Sequence, residues 1–320
     1  MIKAPKTGHY PQGLMSIIYN LENKLVYDCL LISNNNERNC LIEQMDQLSK
    51  GDILVLDRGY FSYLLLYKAI EKSIHLICRL QFGTMNKEIK TFYNSNLNDA
   101  IINYSPSATI KTALKQQGYH IDYKDIKLRL IKYQIEDEIY ICATTLIGEQ
   151  YPANEFPSAY HARWGIEEIY KISKEFINVE GFHSKMERGV KQELYAHVLL
   201  LNIARIFELE ADSQIPLELN QDNFKEKSEN IRESYWQGFC GKIQEYKINF
   251  KNCLLVIGRC IEKLIIPIEE KLKDLIYQIL ISISDVRQKI RIGRHYLRQS
   301  MKPCSKWRSH SVYKSTRKVA

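Results

Sequence analysis

The stretch Gly51-Asp52-Ile53-Leu54-Val55-Leu56-Asp57-Arg58-Gly59-Tyr60 most narrows what this chain can fold into. An apolar run this short, closed at both ends by Asp and Gly, reads as a buried strand from Ile53 to Leu56. Gly59 supplies the turn into a helix over about Phe61 to Lys72, and Ile74 to Leu80 reads as the next strand. Strand, helix and strand make an α/β unit, and Asp57 stands at the carboxyl end of its first strand, where such sheets place their sites. A strand-end Asp is also an ordinary turn or cap residue, so Asp57 alone decides nothing.

A second stretch adds weight to it. In Tyr160 to Lys174 (Y-H-A-R-W-G-I-E-E-I-Y-K-I-S-K), Arg163, Glu167, Tyr170 or Lys171, and Lys174 follow at steps of three and four. A helix aligns such positions on one face. Ile166, Ile169, Ile172 and Phe176 fall on another side and would pack inward. The pattern predicts one helix with a single acid among cations, and it also suits a solvated helix with Glu-to-Lys pairs.

Elsewhere the chain alternates strand and helix patterns. Leu14 to Tyr19 and Lys24 to Ser33 predict a hairpin turning at Asn20 to Asn23. Asn34-Asn35-Asn36 is a loop and cap before a helix over Glu37 to Leu48, with Cys40, Leu41, Met45 and Leu48 inward. Phe82 to Gly148 has no clear helix and two good strands, Ile126 to Gln134 and Glu138 to Leu146. Its Tyr119, Tyr123, Tyr133 and Tyr140 are expected in the core or pleat rather than as platforms for bases. Gln192 to Leu209 predicts an amphipathic helix with Leu194, Val198, Leu201 and Ile206 inward. Ser213 to Gln244 reads as a polar surface excursion, and Asn252 to Lys289 as helix interrupted at Pro267.

Charge is unevenly placed. The net charge is +8, yet the segment 286–320 holds 11 Lys and Arg and no acid, leaving 34 basic against 37 acidic side chains elsewhere. A basic tail suits a phosphate backbone, through a salt-sensitive and sequence-independent attraction, and it also suits a merely solubilising terminus. The eight cysteines have no C-x-x-C spacing, so neither a zinc site nor a disulfide framework is indicated. The apolar run Leu275 to Ser284 is too short to span a bilayer, so a cytoplasmic protein without a membrane partner is expected.

Taken together, the Asp57-Arg58-Gly59-Tyr60 context and the Tyr160, Arg163, Glu167 and Lys174 spacing resemble the DDE transposases of the insertion-sequence-4 family. Members carry their second catalytic Asp before Arg-Gly-Tyr. They also carry Tyr, two residues, Arg, three residues, Glu, six residues, Lys, and this chain matches that spacing at every position. Trp164 and Ile166 are usual neighbours too. The resemblance runs from near Lys3 to the basic tail.

The resemblance implies an α/β, RNase H-like (DDE) catalytic core with a mostly β insertion and a C-terminal helical region ending in a basic tail. The boundaries it implies are 1–81 for the first part of the core, 82–150 for the insertion and 151–212 for the rest of the core. A helical region at 213–285 and the tail at 286–320 follow. The implied activity is DNA cleavage and strand transfer by the transposase of a bacterial insertion sequence. Asp57 and Glu167 would be catalytic metal ligands for a two-Mg²⁺ site, and Tyr160, Arg163 and Lys174 would bind DNA. Arg163 would grip a phosphate through two hydrogen bonds and Lys174 would act as a point charge. Arg58 is as well suited to a structural ion pair, and His161 and His183 are expected at the surface. The implied partners are the element's DNA ends and target DNA, met by a homodimer.

One departure matters. The family's first catalytic Asp lies on a strand ahead of the hairpin, and no Asp precedes Asp28. Asp28 falls inside the hairpin, Asp46 in a helix and Asp52 in a turn. The expectation is a core lacking its first strand, truncated at the N-terminus. It is either an active transposase completed from elsewhere or a catalytically inactive remnant that binds only DNA or intact transposase.

Overall fold

The computed structural model describes residues 13–32, 36–81, 86–135, 138–175, 181–219, 246–266 and 269–290. The first element is the expected hairpin, β1 (Leu14–Tyr19) paired antiparallel with β2 (Val26–Ile32). Its turn is set by local side-chain chemistry: the Asn20 carboxamide oxygen accepts from the backbone N–H groups of Glu22 and Asn23. Lys24 then takes a positive φ of 57°. Helix α1 (Glu37–Gln44) follows, capped by Asn36 and continued by a 3₁₀ turn over Met45–Gln47. Cys40, Leu41 and Met45 are buried as expected. Buried Gln44 donates to Asp28 and accepts from Ser16, so Asp28 is a polar tie between hairpin and helix.

The strand-helix-strand unit is also present: β3 (Ile53–Leu56), α2 (Tyr63–Glu71) and β4 (His75–Arg79), with β3 and β4 parallel. Gly51 supports the turn into β3 at a φ of +92°, a conformation costly for other residues. The next segment departs from expectation, because it holds two helices, α3 (Lys87–Tyr93) and α4 (Ala108–Gln116). Its strands β5 (Asp99–Tyr104), β6 (Ile126–Ile135) and β7 (Glu138–Thr144) continue the sheet of the α/β unit. The result is one mixed five-stranded sheet in the order β3-β4-β7-β6-β5. The helices escaped notice because each is only two turns long, too short to display a period.

In that order β3 is an edge strand among the described residues and not the buried strand expected, and Ile53 is 39% exposed. The hairpin is a separate two-stranded sheet among the described residues. Ile18 of β1 nevertheless shares a core cluster with Leu56 of β3, together with Leu64, Leu65, Leu128 and Leu130. The opposite sheet face, with Ile77, Ile131 and Cys142, is covered by Phe156 and Tyr160.

The C-terminal part is helical: α5 (Phe156–Ala162), α6 (Trp164–Glu175), α7 (Glu187–Leu219), α8 (Phe250–Ile265) and α9 (Glu269–Ser284). The break between α8 and α9 falls where Pro267 predicts it. Helices α7, α8 and α9 share a core with Leu201, Ala204, Cys253, Ile257 and Ile283. Leu194, Val198 and Leu201 face inward as expected, but Ile206 is 54% exposed, because α7 carries the Arg205–Glu208 ion pair on its buried side there. A short ladder of β8 (Tyr246–Ile248) with β9 (Arg287–Lys289) was not legible from the sequence. Of the expected polar excursion, 213–219 continues α7 and 220–245 lies outside the described residues, as do Phe176 and 291–320 of the basic tail. No helix among the described residues is long and apolar enough to cross a membrane.

The hairpin is tied to α7 by one side chain. Asn202 accepts from the Val26 N–H and donates to the Val26 carbonyl, both at 2.9 Å. Asn202→Ala leaves both backbone groups unpaired and is expected to cost about 2 kcal/mol. Chemical denaturation measures this, and a change under about 0.5 kcal/mol, the range of ordinary surface substitutions, would show that water replaces the amide.

Candidate active site

The site begins where β3 ends. Asp57 is in extended conformation and caps the 3₁₀ turn Arg58–Tyr60 by accepting from the Arg58 N–H at 2.7 Å. The cap holds one carboxylate oxygen and fixes the side chain at the carboxyl end of the strand, exposed to solvent.

The Tyr160–Lys174 stretch is not one helix. Helix α5 ends at Ala162, Arg163 occupies the junction, and α6 starts at Trp164. The junction is a tight turn in which the Arg163 N–H donates to the Tyr160 carbonyl and the Ile166 N–H to the Arg163 carbonyl. Gly165 follows because the hairpin passes close: a Cβ there would lie 3.1 Å from the Tyr19 ring. A period of three and four cannot reveal such a break, since both helices keep right-handed dihedrals across it.

The break redistributes the expected face. Tyr160 is buried against the sheet, and its hydroxyl stands 3.5 Å from an Asp57 carboxylate oxygen. Burial raises the pKa of this phenol, so it remains a donor at neutral pH. Arg163 lies between the rings of Tyr160 and Trp164, 5.6 and 5.7 Å from their centroids, and donates to Glu167 at 2.8 Å. Its Nε is enclosed without a hydrogen-bond partner, a donor left over beside the site. The expected inward Ile169 and Ile172 are buried on the far side of α6. Tyr170 does not join the polar face: it donates to the Met15 carbonyl of β1, and burial pushes its pKa up to about 12. Lys174 is exposed in the last turn of α6.

Asp57, Tyr160, Arg163 and Glu167 thus form a connected group, although 110 residues separate the two acids. The other acids considered have structural roles: Asp46 pairs with Lys72, and Asp52 accepts from the Ser49 N–H. His183, 96% exposed, meets Glu193 at the surface. Sequence reasoning missed Arg79. The parallel register pairs Leu56 with Cys78, so Asp57 and Arg79 leave the sheet at the same end. A cation at the end of the second strand was the available signal.

Two exposed carboxylates offer the hard oxygen donors that suit a divalent cation such as Mg²⁺. Among the described residues no group of three His, Cys, Asp or Glu side chains converges as a metal cluster. The donor chemistry fits, with two protein ligands available.

The chain was compared with known proteins. No curated protein matches it. Among solved structures, it resembles a chain of the cryo-EM structure of the piggyBac transposase synaptic complex with hairpin DNA, at 9% identity and a TM-score of 0.41. That likeness covers 88% of this chain and 52% of the other, so this chain spans about half of its length. The family of the transposase DDE domain matches residues 1–203, well over half of the sequence. By that match, and with an acid at the end of a strand joined through Tyr160 and Arg163 to a second acid on α6, the chain belongs to the DDE-domain transposase family.

Proposed function

We propose that this chain acts in DNA transposition as a transposase of the insertion-sequence-4 type from a bacterial element, cutting and rejoining DNA strands with Mg²⁺ held by Asp57 and Glu167. The observation that carries this reading is the bridge from Asp57 through Tyr160 and Arg163 to Glu167. Held by Asp57 and Glu167, the ion would supply an activated water or 3′-hydroxyl and would steady the leaving oxygen. Arg163, held beside two aromatic rings, takes a phosphate oxygen as its Glu167 contact loosens, and the protonated Tyr160 hydroxyl donates to the same group. Lys174 and the basic tail add salt-dependent grip on the backbone. The segments 1–81, 82–150, 151–212, 213–285 and 286–320 serve as the units of this machine, which works as a homodimer on paired ends.

A second reading is favoured by the two-carboxylate count: a catalytically inactive chain that binds DNA or an intact transposase. A third carboxylate would have its place on a strand paired to the edge of β3 that is unpaired among the described residues, where the strand end reaches the level of Asp57. The deciding experiment is a Mg²⁺-dependent nicking assay on the purified chain with the DNA flanking its own gene, against an Asp57→Ala control. Nicking lost in the control supports the enzyme, while binding without nicking supports the inactive chain. Absence of both binding and nicking overturns both readings.

In the same assay, Lys174→Ala is expected to weaken binding to the DNA ends and to reduce the slope of log affinity against log salt by about one. An unchanged slope would place Lys174 outside the DNA contact.

A further inference from the structure

Beside the candidate site lies a cleft of about 300 Å³, lined by Arg58, Arg79, Tyr140 and Glu138 among others. We propose that it binds a phosphodiester of the DNA strand flanking the bond to be cut, with Arg79 as the principal contact. The proposal rests on the transposase reading and adds a DNA-binding position to it.

The two cations arrive from neighbouring elements. Arg58 follows Asp57 in the 3₁₀ turn, and Arg79 is the last residue of β4, at the sheet end where Asp57 emerges. The Arg79 guanidinium lies 3.7 Å from the centroid of the Tyr140 ring. Contact with the ring at that distance restrains the guanidinium, which favours a two-point hold on phosphate by its planar fork of donors. Its charge also reaches Tyr160, lowering that phenol's pKa against the larger effect of burial, so cleft and site share one field.

Other arginines in the chain show what a structural arginine looks like here. Arg129 is buried and bonded to Asp99, and Arg205 is buried and bonded to Glu208. Arg58 and Arg79 have no such ion pair among the described residues and sit on an open concave surface. Glu138, the one acid among the described residues lining the cleft, accepts from the Tyr140 hydroxyl and is exposed. It opposes an anion, so its removal is a test of sign.

The same phosphate chemistry could come from a free nucleotide, and the experiment separates the two. The probe is a fluorescent nicked DNA duplex, titrated across salt concentration, with inorganic phosphate and a nucleoside monophosphate as competitors. Arg79→Ala is expected to weaken binding by on the order of tenfold and to lower the salt slope by about one. Arg79→Lys should restore the slope but only part of the affinity, because an ammonium has no planar fork. Glu138→Gln should tighten binding. Wild-type affinity and slope in Arg79→Ala, or weaker binding in Glu138→Gln, would overturn the proposal and leave Arg79 as a brace between β4 and β7. Binding of the monophosphate that is lost in Arg79→Ala, with DNA neither displaced by it nor weakened in that variant, would assign the cleft to a free nucleotide and overturn the DNA assignment. If Arg79→Ala is too unstable to purify, Arg79→Lys and Glu138→Gln decide by the same criteria. Failure of the wild type to bind the duplex at all would instead sink the transposase reading, which keeps the two failures apart.

Discussion

Glu167→Gln, made in a preparation that nicks DNA, is expected to reduce cleavage by at least about 10²–10³-fold, the scale for losing one preorganised group that stabilises transition-state charge. Stability should hardly move. The Arg163–Glu167 pair is an i, i+4 contact across the turn between α5 and α6, with the Glu167 carboxylate 44% exposed, and such pairs contribute only about 0.3–0.5 kcal/mol. Binding to DNA ends should persist or tighten, since the substitution removes a negative charge and releases Arg163 toward phosphate. The combination of lost cleavage, retained binding and unchanged unfolding is what separates a metal-holding acid from a helix-stabilising one. Cleavage within a few-fold of the parent would remove Glu167 from the site, and a large loss of stability would show that its ion pair is structural.

The second large effect is expected far from any acid of the site. Arg129 on β6 donates from Nε to Asp99 on β5 at 2.9 Å and from a terminal nitrogen to the Tyr151 carbonyl at 2.7 Å. Its guanidinium also lies 5.5 Å from the Phe156 ring, at the start of α5. One buried cation thus ties the far edge of the sheet to the helix that carries Tyr160. Arg129→Ala strands an acid and a carbonyl, and breaking a buried pair costs about 3–5 kcal/mol. Asp99 keeps a third of its surface in water, so the lower end, about 3 kcal/mol, is expected. Cleavage should fall with it, because α5 loses the anchor that places Tyr160 beside Asp57. Arg129→Met should recover part of the stability through packing on Phe156. Unfolding of Arg129→Ala within about 0.5 kcal/mol of the parent, no more than an ordinary surface substitution, would show that the tie is dispensable.

How much of this was open to reading from the chain can be seen at particular residues. The hairpin, α1, β3, β4 and the α8–α9 break follow from signals that act within a few residues: alternation, an Asn cap, Gly-bounded apolar runs, a proline. Local dihedral preference and burial agree at these positions, so sequence alone determines them. The four residues of the connected site were nameable too, since motif spacing preserves chemistry even where the helix beneath it is misjudged.

Tertiary structure decided the rest. Whether β3 is central or at an edge depends on whether a strand pairs with its second side; among the described residues none does, and the sheet grows instead from β4 through β7, more than sixty residues away. Just past the turn at Arg163, α6 passes Tyr19 of the hairpin at Gly165, a close approach no local pattern records. Tyr170 turned to the hairpin and Ile206 to solvent for the same kind of reason: helical period fixes which residues share a face, but only packing fixes what that face meets. Arg79 entered the site through a parallel register, which sets two strand ends level only once both strands are in one sheet. Sequence determined which chemical groups this protein carries and at what spacing; the sheet, by bringing distant strand ends together, decided which of them act on one another.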